Sequence, residues 1–230
     1  MKRFLTIFDI DGTVAEFGKP VDMKIIEALR DLNESADIVF ASGKNVSYIA
    51  GFVRGIGVKS PAIIGENGCV IFFPETLEEI IMIKRPDVIS AIEREIMKKF
   101  DNQVWLQPNK VQLTIFPKQV NLLEEILKTL NDMIPEKERG NIKIFVHEDS
   151  IDLIPANIDK GVAVKKLRDI LNIDKDYVIS VGDDENDIPM LIESGISISI
   201  GDKIKHYNPT HNFECVLDAI AFIKKVVTHE

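Results

Sequence analysis

The sequence predicts an α/β protein: a doubly wound parallel sheet carrying a second, smaller α+β domain as an insertion. Two observations predict it. Short apolar runs alternate with segments of helical periodicity at both ends of the chain, as in a parallel sheet covered on both faces. From about residue 83 to 153 the rhythm changes to helix, strand, strand, twice over, which builds an open-faced antiparallel sheet with helices on one side. The expected division is a core of residues 1–82 and 154–230 with a cap of residues 83–153.

In order, residues 4–8 form a buried strand that stops at Asp9. Ile25, Ile26, Ala28, Leu29 and Leu32 recur at helical spacing, and residues 37–41 make a second strand ending at Ser42-Gly43. Asn45 caps a helix over 45–56, and 62–64 is a short strand. Residues 69–73 and 80–83 read as a hairpin after Glu66-Asn67-Gly68. The insertion offers helices over 88–100 and 120–133 and strands over 103–106, 111–116, 142–146 and 150–154, with a polar loop over 135–140. Asn157 or Asp159 then caps a helix to residue 171. A strand over 177–181, a helix holding Ile188, Leu191 and Ile192, a strand over 196–200 and a helix over 216–227 follow. Residues 203–214 read as polar loop without chemistry.

A hydrophobic fraction of 45% with 28% charged residues suits a soluble globular chain with a sizeable core. The net charge of -9 argues against nucleic-acid or anionic-membrane partners. It also means that any phosphate site must carry its own local positive charge. Cys69 and Cys215 share no metal-ligand spacing and suit a reducing interior. Met1-Lys-Arg followed by residues 4–8 is too short an apolar stretch for a signal peptide and is broken by Asp9, so a cytoplasmic protein is expected, as monomer or homodimer.

Asp9-x-Asp11-Gly12-Thr13 admits three readings. A surface Asp-Gly turn is common. A calcium loop fails, because Val14 and Pro20 stand where its Gly and late Glu belong. The third is a nucleophilic carboxylate beside a general acid on a shared divalent cation, and the motif alone leaves it even with the turn. Three apolar runs end abruptly in polar groups, at Asp9, Ser42 and Gly182-Asp183, and carboxyl ends of parallel strands share one edge where ligands bind. Residues 182–187 are the densest acidic stretch; a helix N-terminus explains Glu185 and Asp184, but not a cluster at the end of a buried strand. Oxygen-only ligands favour magnesium. Lys160 is by itself a solvated surface lysine, and beside a phosphate site a point charge. Ser42-Gly43 is either a turn or an anion-facing strand end. No Walker pattern is present, and Gly55-x-Gly57 lacks a third glycine and follows no strand.

Taken in order, Asp9-x-Asp11-Gly-Thr13, Ser42-Gly43, Lys160 and Gly182-Asp183-x-x-Asn186-Asp187 together resemble the haloacid dehalogenase-like phosphatase superfamily, subclass IIB, with its cap between the second and third motifs. The likeness covers the whole chain, and its size and small cap are most similar to archaeal-type phosphoglycolate phosphatases and related sugar phosphatases. The resemblance implies a Rossmann-like core and Mg2+-dependent hydrolysis of a small phosphorylated metabolite through an aspartyl phosphate. It assigns Asp9 as nucleophile, ionised at an ordinary Asp pKa of ~3.9, and Asp11 as acid and then base. Ser42, Gly43, Lys160 and Asn186 would hold phosphoryl oxygens. Asp9, the Asp11 carbonyl and Asp183 would bind Mg2+, with Asp187 completing or orienting that shell. Two departures are Lys44, where many relatives carry Arg, and a C-terminal loop without a Gly-rich ending, Cys215 lying near that place. A phosphomannomutase-like mutase, which shares the first motif and a similar Glu-Asn-Gly stretch, and a non-catalytic phosphate- or metal-binding module are the rival readings. In the cap, Trp105 reads as core packing, and Gln107, Lys110, Gln112 and His147 as a solvated face.

Overall fold

A computed structural model describes residues 3–229. Met1 and Lys2, part of the signal-like stretch weighed above, lie outside the described residues. The first half-sheet comprises β1 (Leu5–Phe8), α1 (Met23–Asn33), β2 (Asp37–Ala41), α2 (Val46–Ile56), β3 (Ile63–Gly65), β4 (Val70–Phe73) and β5 (Glu78–Ile81). The insertion holds α3 (Asp87–Phe100), β6 (Val104–Leu106), β7 (Leu113–Pro117), α4 (Leu123–Met133), β8 (Ile142–Val146) and β9 (Ile151–Pro155). The chain returns through α5 (Lys160–Leu171), β10 (Val178–Gly182), α6 (Ile188–Ile192), β11 (Ile196–Ile200), β12 (His211–Phe213) and α7 (Val216–His229).

Eight strands form the large sheet in the order β12-β11-β10-β1-β2-β3-β4-β5. From β12 to β3 every pairing is parallel, and β4 and β5 add the expected antiparallel hairpin. Strand alternation sorts the core into two layers. Phe8, Ile38 and Phe40 face α1, α2 and α7, through Leu29, Ile49, Val53 and Ile220. Leu5, Ile7, Val39 and Ala41 face α5 and α6, through Val164, Leu167 and Met190. This is the doubly wound arrangement. Both predicted caps form: Asn45 Oδ1 accepts the Tyr48 N–H at 2.9 Å, and Asp159 Oδ1 accepts the Val162 N–H at 3.0 Å.

The second sheet is antiparallel in the order β6-β7-β9-β8. Leu113, Ile115, Ile151 and Leu153 pack with Ile89, Ile92, Ile96 and Leu130 of α3 and α4 in a core of their own. The alternate positions, Gln112, Thr114, Ser150 and Asp152, are polar and yet buried.

Three segments differ from the sequence expectation. Residues 136–141 are a 3-10 turn rather than open loop, and α6 is only one and a half turns. Within 203–214, residues 211–213 form an edge strand parallel to β11. It has no apolar periodicity; side chains anchor it instead, Thr210 exchanging hydrogen bonds with Ser197 and Asn212 donating to Ser199. Among the described residues, no helix is long and apolar enough to cross a membrane.

Gly68 joins this framework to the start of α5. Its φ of 99° is left-handed, and a Cβ there would collide with the Asp159 carbonyl and come within 3.0 Å of the Lys160 nitrogen. Gly68→Ala is expected to lower the unfolding free energy by about 2–4 kcal/mol. A denaturant midpoint equal to wild type would refute the tight approach.

Candidate active site

Parallel register places the ends of three central strands side by side. Phe8 of β1 stands opposite Phe40 of β2 and Val181 of β10, so the next residues leave the sheet together. The Asp9 N–H still donates to the Val181 carbonyl at 2.9 Å, and the Ser42 N–H to that of Ile64 at 3.0 Å. After Asp9 the chain turns sharply. Gly12 adopts a φ of 92°, and its Cα lies so close to the Asp183 carboxylate that a Cβ would overlap it. Thr13 Oγ1 donates to Asp183 Oδ1 at 2.9 Å. The first and last motifs are thereby held face to face.

Lys160 is the centre of the arrangement. Its side chain is 1% exposed, and Nζ lies 2.6 Å from Asp9 Oδ1 and 2.6 Å from Asp187 Oδ1. Two of its three N–H donors are thus engaged, which leaves one for an incoming anion. The solvated-lysine alternative is incompatible with this burial. Asp187 uses its second oxygen to accept the N–H groups of Asp183 and Asp184, at 3.0 and 3.2 Å. One carboxylate oxygen from each of Asp9, Asp183 and Asp187 lies within 4.8 Å of the other two. The Asp11 side chain is outside that cluster; it is partly exposed, and Oδ2 lies 3.2 Å from Lys44 Nζ.

A cavity of about 570 Å³ opens onto these groups. Asp9, Asp11, Ser42, Gly43, Lys160, Asp183 and Asn186 line it, whereas Asp187 lies behind Lys160. Ser42 Oγ accepts the Lys44 N–H at 3.2 Å. The Gly43 carbonyl receives two side chains from the segment between β6 and β7, Gln107 Nε2 at 3.1 Å and Gln112 Nε2 at 2.7 Å.

The electrostatics depart from the sequence expectation at Asp9. Its carboxyl is pushed well above the usual Asp range by burial, with Asp187 and Asp183 adding to the rise and Lys160 opposing it. The ordinary value from which ionisation was expected belongs to a solvated Asp. Asp183 is likewise raised, by burial and then by Asp187, against hydrogen bonds from Thr13 and Lys203. The Lys160 ammonium, despite burial, is held charged above its usual range by Asp187 and Asp9. Three oxygen donors that repel one another in a dry site fit a hard divalent cation.

Several lining residues were missed from sequence. Lys203 lies in the loop read as free of chemistry, and its Nζ reaches Asp183 Oδ2 at 3.1 Å. No local signal marks it. Glu185 ties that loop down, accepting the Lys205 and His206 N–H groups. Gln107 and His147 face the cavity, and Gln112 is fully buried, so these three are not on a solvated face. Trp105 is 54% exposed against Phe116 instead of in the core, and Lys110 pairs with Glu79 near solvent. Asn67 and Asp152 also line the cavity.

The family profile described as haloacid dehalogenase-like hydrolase matches residues 6–107 and 83–210. The chain belongs to that family. Among its relatives, a phosphoglycolate phosphatase of Methanopyrus kandleri is 25% identical over 219 residues, covering 94% of this chain and 89% of the relative. One of Archaeoglobus fulgidus is 24% identical over 222 residues, covering 94% of each. The solved structure of Thermoplasma acidophilum 0175 superposes with a TM-score of 0.79 at 18% identity over the whole of both chains. An HAD subclass IIB sugar phosphatase does so with 0.67 at 20% identity, covering 98% of each chain. These structures share the fold of this hydrolase.

The raised Asp9 carboxyl has a measurable consequence. The folded state keeps a proton that the unfolded chain releases, so this group's contribution to stability falls as pH rises from about 4 to its raised value. Without divalent cations, Asp9→Asn is therefore expected to be more stable than wild type at neutral pH. The difference should vanish towards about pH 4. Equal denaturation midpoints for the two proteins at neutral pH would show that Asp9 is not raised.

Proposed function

We propose that this hydrolase is a Mg2+-dependent phosphomonoesterase acting on a small phosphorylated metabolite, phosphoglycolate or a sugar phosphate, through an aspartyl-phosphate intermediate. One observation carries the reading: Asp9 stands at a strand end, held by Lys160 and flanked by Asp183, with Asp11 two residues away at the cavity wall. The names of the archaeal relatives and of the sugar phosphatase neighbour support the substrate range. In this reading residues 1–82 and 154–230 are the catalytic core and 83–153 the cap. The acidic surface and the small-molecule cavity suit a cytoplasmic enzyme without nucleic-acid or membrane partners.

Asp9 attacks phosphorus, and the bond from phosphorus to the leaving oxygen breaks as Asp11 gives that oxygen its proton. Asp11, now a carboxylate, takes a proton from water. The water oxygen attacks phosphorus, releasing inorganic phosphate and restoring Asp9. Ser42, the Gly43 strand end, Asn186 and the remaining Lys160 donor hold the phosphoryl oxygens, where transition-state charge accumulates. Lys160 also fixes the attacking carboxylate. Asp9, Asp183 and the Asp11 carbonyl would hold Mg2+, with Asp187 orienting Asp183 through its N–H. When bound there, the ion would supply positive charge that favours ionised Asp9 and offsets the phosphoryl oxygens.

Asp9→Asn should retain the fold and lose at least about a thousandfold in p-nitrophenyl phosphate turnover. Near-normal turnover would remove Asp9 as nucleophile. Asp11→Asn should lose about a hundredfold or more, and full activity would reassign the acid. EDTA should silence the enzyme and added Mg2+ restore it; turnover undiminished by EDTA would end the metal role.

A further inference from the structure

The polar face of the second sheet ends in an unmatched atom. Thr114 and Asp152 are paired across β7 and β9, and both point to the cavity side, away from the cap core. Asp152 is 3% exposed. Its Oδ2 accepts Asn67 Nδ2 at 3.0 Å and lies 3.4 Å from His147 Nε2. Its Oδ1 is buried with no hydrogen-bond partner. A carboxylate oxygen left so in a cavity wall calls for a donor.

The cap wall also lacks a counter-charge for a second anion. All three lining lysines come from the large-sheet side, and each already meets a carboxylate: Lys44 at Asp11, Lys160 at Asp9 and Asp187, Lys203 at Asp183. His147, the titratable base on the cap wall, is turned to Asp152, and Glu148 adds a further carboxylate beside it. The volume of about 570 Å³ far exceeds what a two-carbon group fills.

Resting on the phosphatase reading above, we propose that Asp152 selects the leaving group. The substrate is a monophosphate of a neutral, hydroxyl-bearing molecule, a sugar or polyol, with one hydroxyl donating to Asp152 Oδ1. A leaving group with its own carboxylate, as in phosphoglycolate, is disfavoured. Hydroxyl recognition by a buried acceptor discriminates strongly, because the wrong ligand leaves that acceptor unpaired.

The test measures kcat/KM of the Mg2+-loaded full chain on p-nitrophenyl phosphate, phosphoglycolate, glycerol 3-phosphate and a set of tetrose to hexose monophosphates. The best sugar or polyol phosphate should exceed phosphoglycolate by about tenfold or more. Asp152→Asn, which presents an amide donor in place of an acceptor, should lower that ratio by about tenfold or more. Turnover of p-nitrophenyl phosphate with phosphoglycolate equal to or better than every neutral substrate would overturn this inference and leave the phosphatase reading standing. No turnover of p-nitrophenyl phosphate would overturn both. An unchanged ratio in folded Asp152→Asn would remove Asp152 as selector. If that variant does not fold, the wild-type ratio alone decides.

Discussion

The site depends on one buried ammonium shared by two carboxylates. Lys160 opens α5, Asp9 ends β1, and Asp187 lies in the turn after β10, so one contact fixes three elements from distant parts of the chain. The buried ammonium depends on its carboxylate partners. A buried ammonium and two buried carboxylates would each face a desolvation penalty of several kcal/mol that only close pairing offsets. The balance is still incomplete, because one positive charge answers two negative ones and Asp183 adds a third nearby. Burial first, and then that surplus, raises the Asp9 carboxyl, and a cation placed beside it would favour its ionised form.

The second sheet is joined to the first by hydrogen bonds as well as by apolar contacts, Val111 and Ile154 packing into the large-sheet core. Glu66, fully buried at the end of β3, accepts the N–H groups of Lys110, Val111 and Gln112. Burial raises its carboxyl, and those three donors pull it back. Asn67 reaches Gln112 and Asp152, and Gly43 takes the two glutamine amides. Water can replace contacts of this kind at modest net cost, which an apolar seam of equal area would not allow.

Much of this was legible in the sequence because it follows from strand direction. Apolar runs that stop at Asp9, Ser42 and Gly182 must deliver those residues to one edge of a parallel sheet, whatever the loops do. The strands read at 111–116 and 150–154 also form, and their alternate side chains enter the core of the second sheet. What stayed hidden depends on contacts between segments without periodicity. Lys203 reaches Asp183 from a loop that Glu185 pins just after it. Gln112 looked like a solvated position because a polar residue on an alternating strand normally faces water. Here that face lies against another sheet's edge, and nothing within either strand records it.

The chain's net charge of -9 is concentrated rather than relieved at the cavity, where seven carboxylates stand against three lysines. A phosphate group would be repelled by such a wall if the charges acted singly. They do not, because each lysine is already paired with a carboxylate and, beyond the third Lys160 N–H, the donors there are neutral, the Ser42 hydroxyl, Asn186 and strand-end N–H groups. Neutral donors orient an anion, yet they cannot cancel its charge or ionise a buried nucleophile. Both tasks fall at the same few ångströms, between Asp9 and Asp183, and the oxygen donors there are of the kind that hard cations take. The excess of acid therefore fits the metal-dependent phosphatase proposed above, in which a phosphate and a metal ion would enter together, since either alone leaves the charge unbalanced.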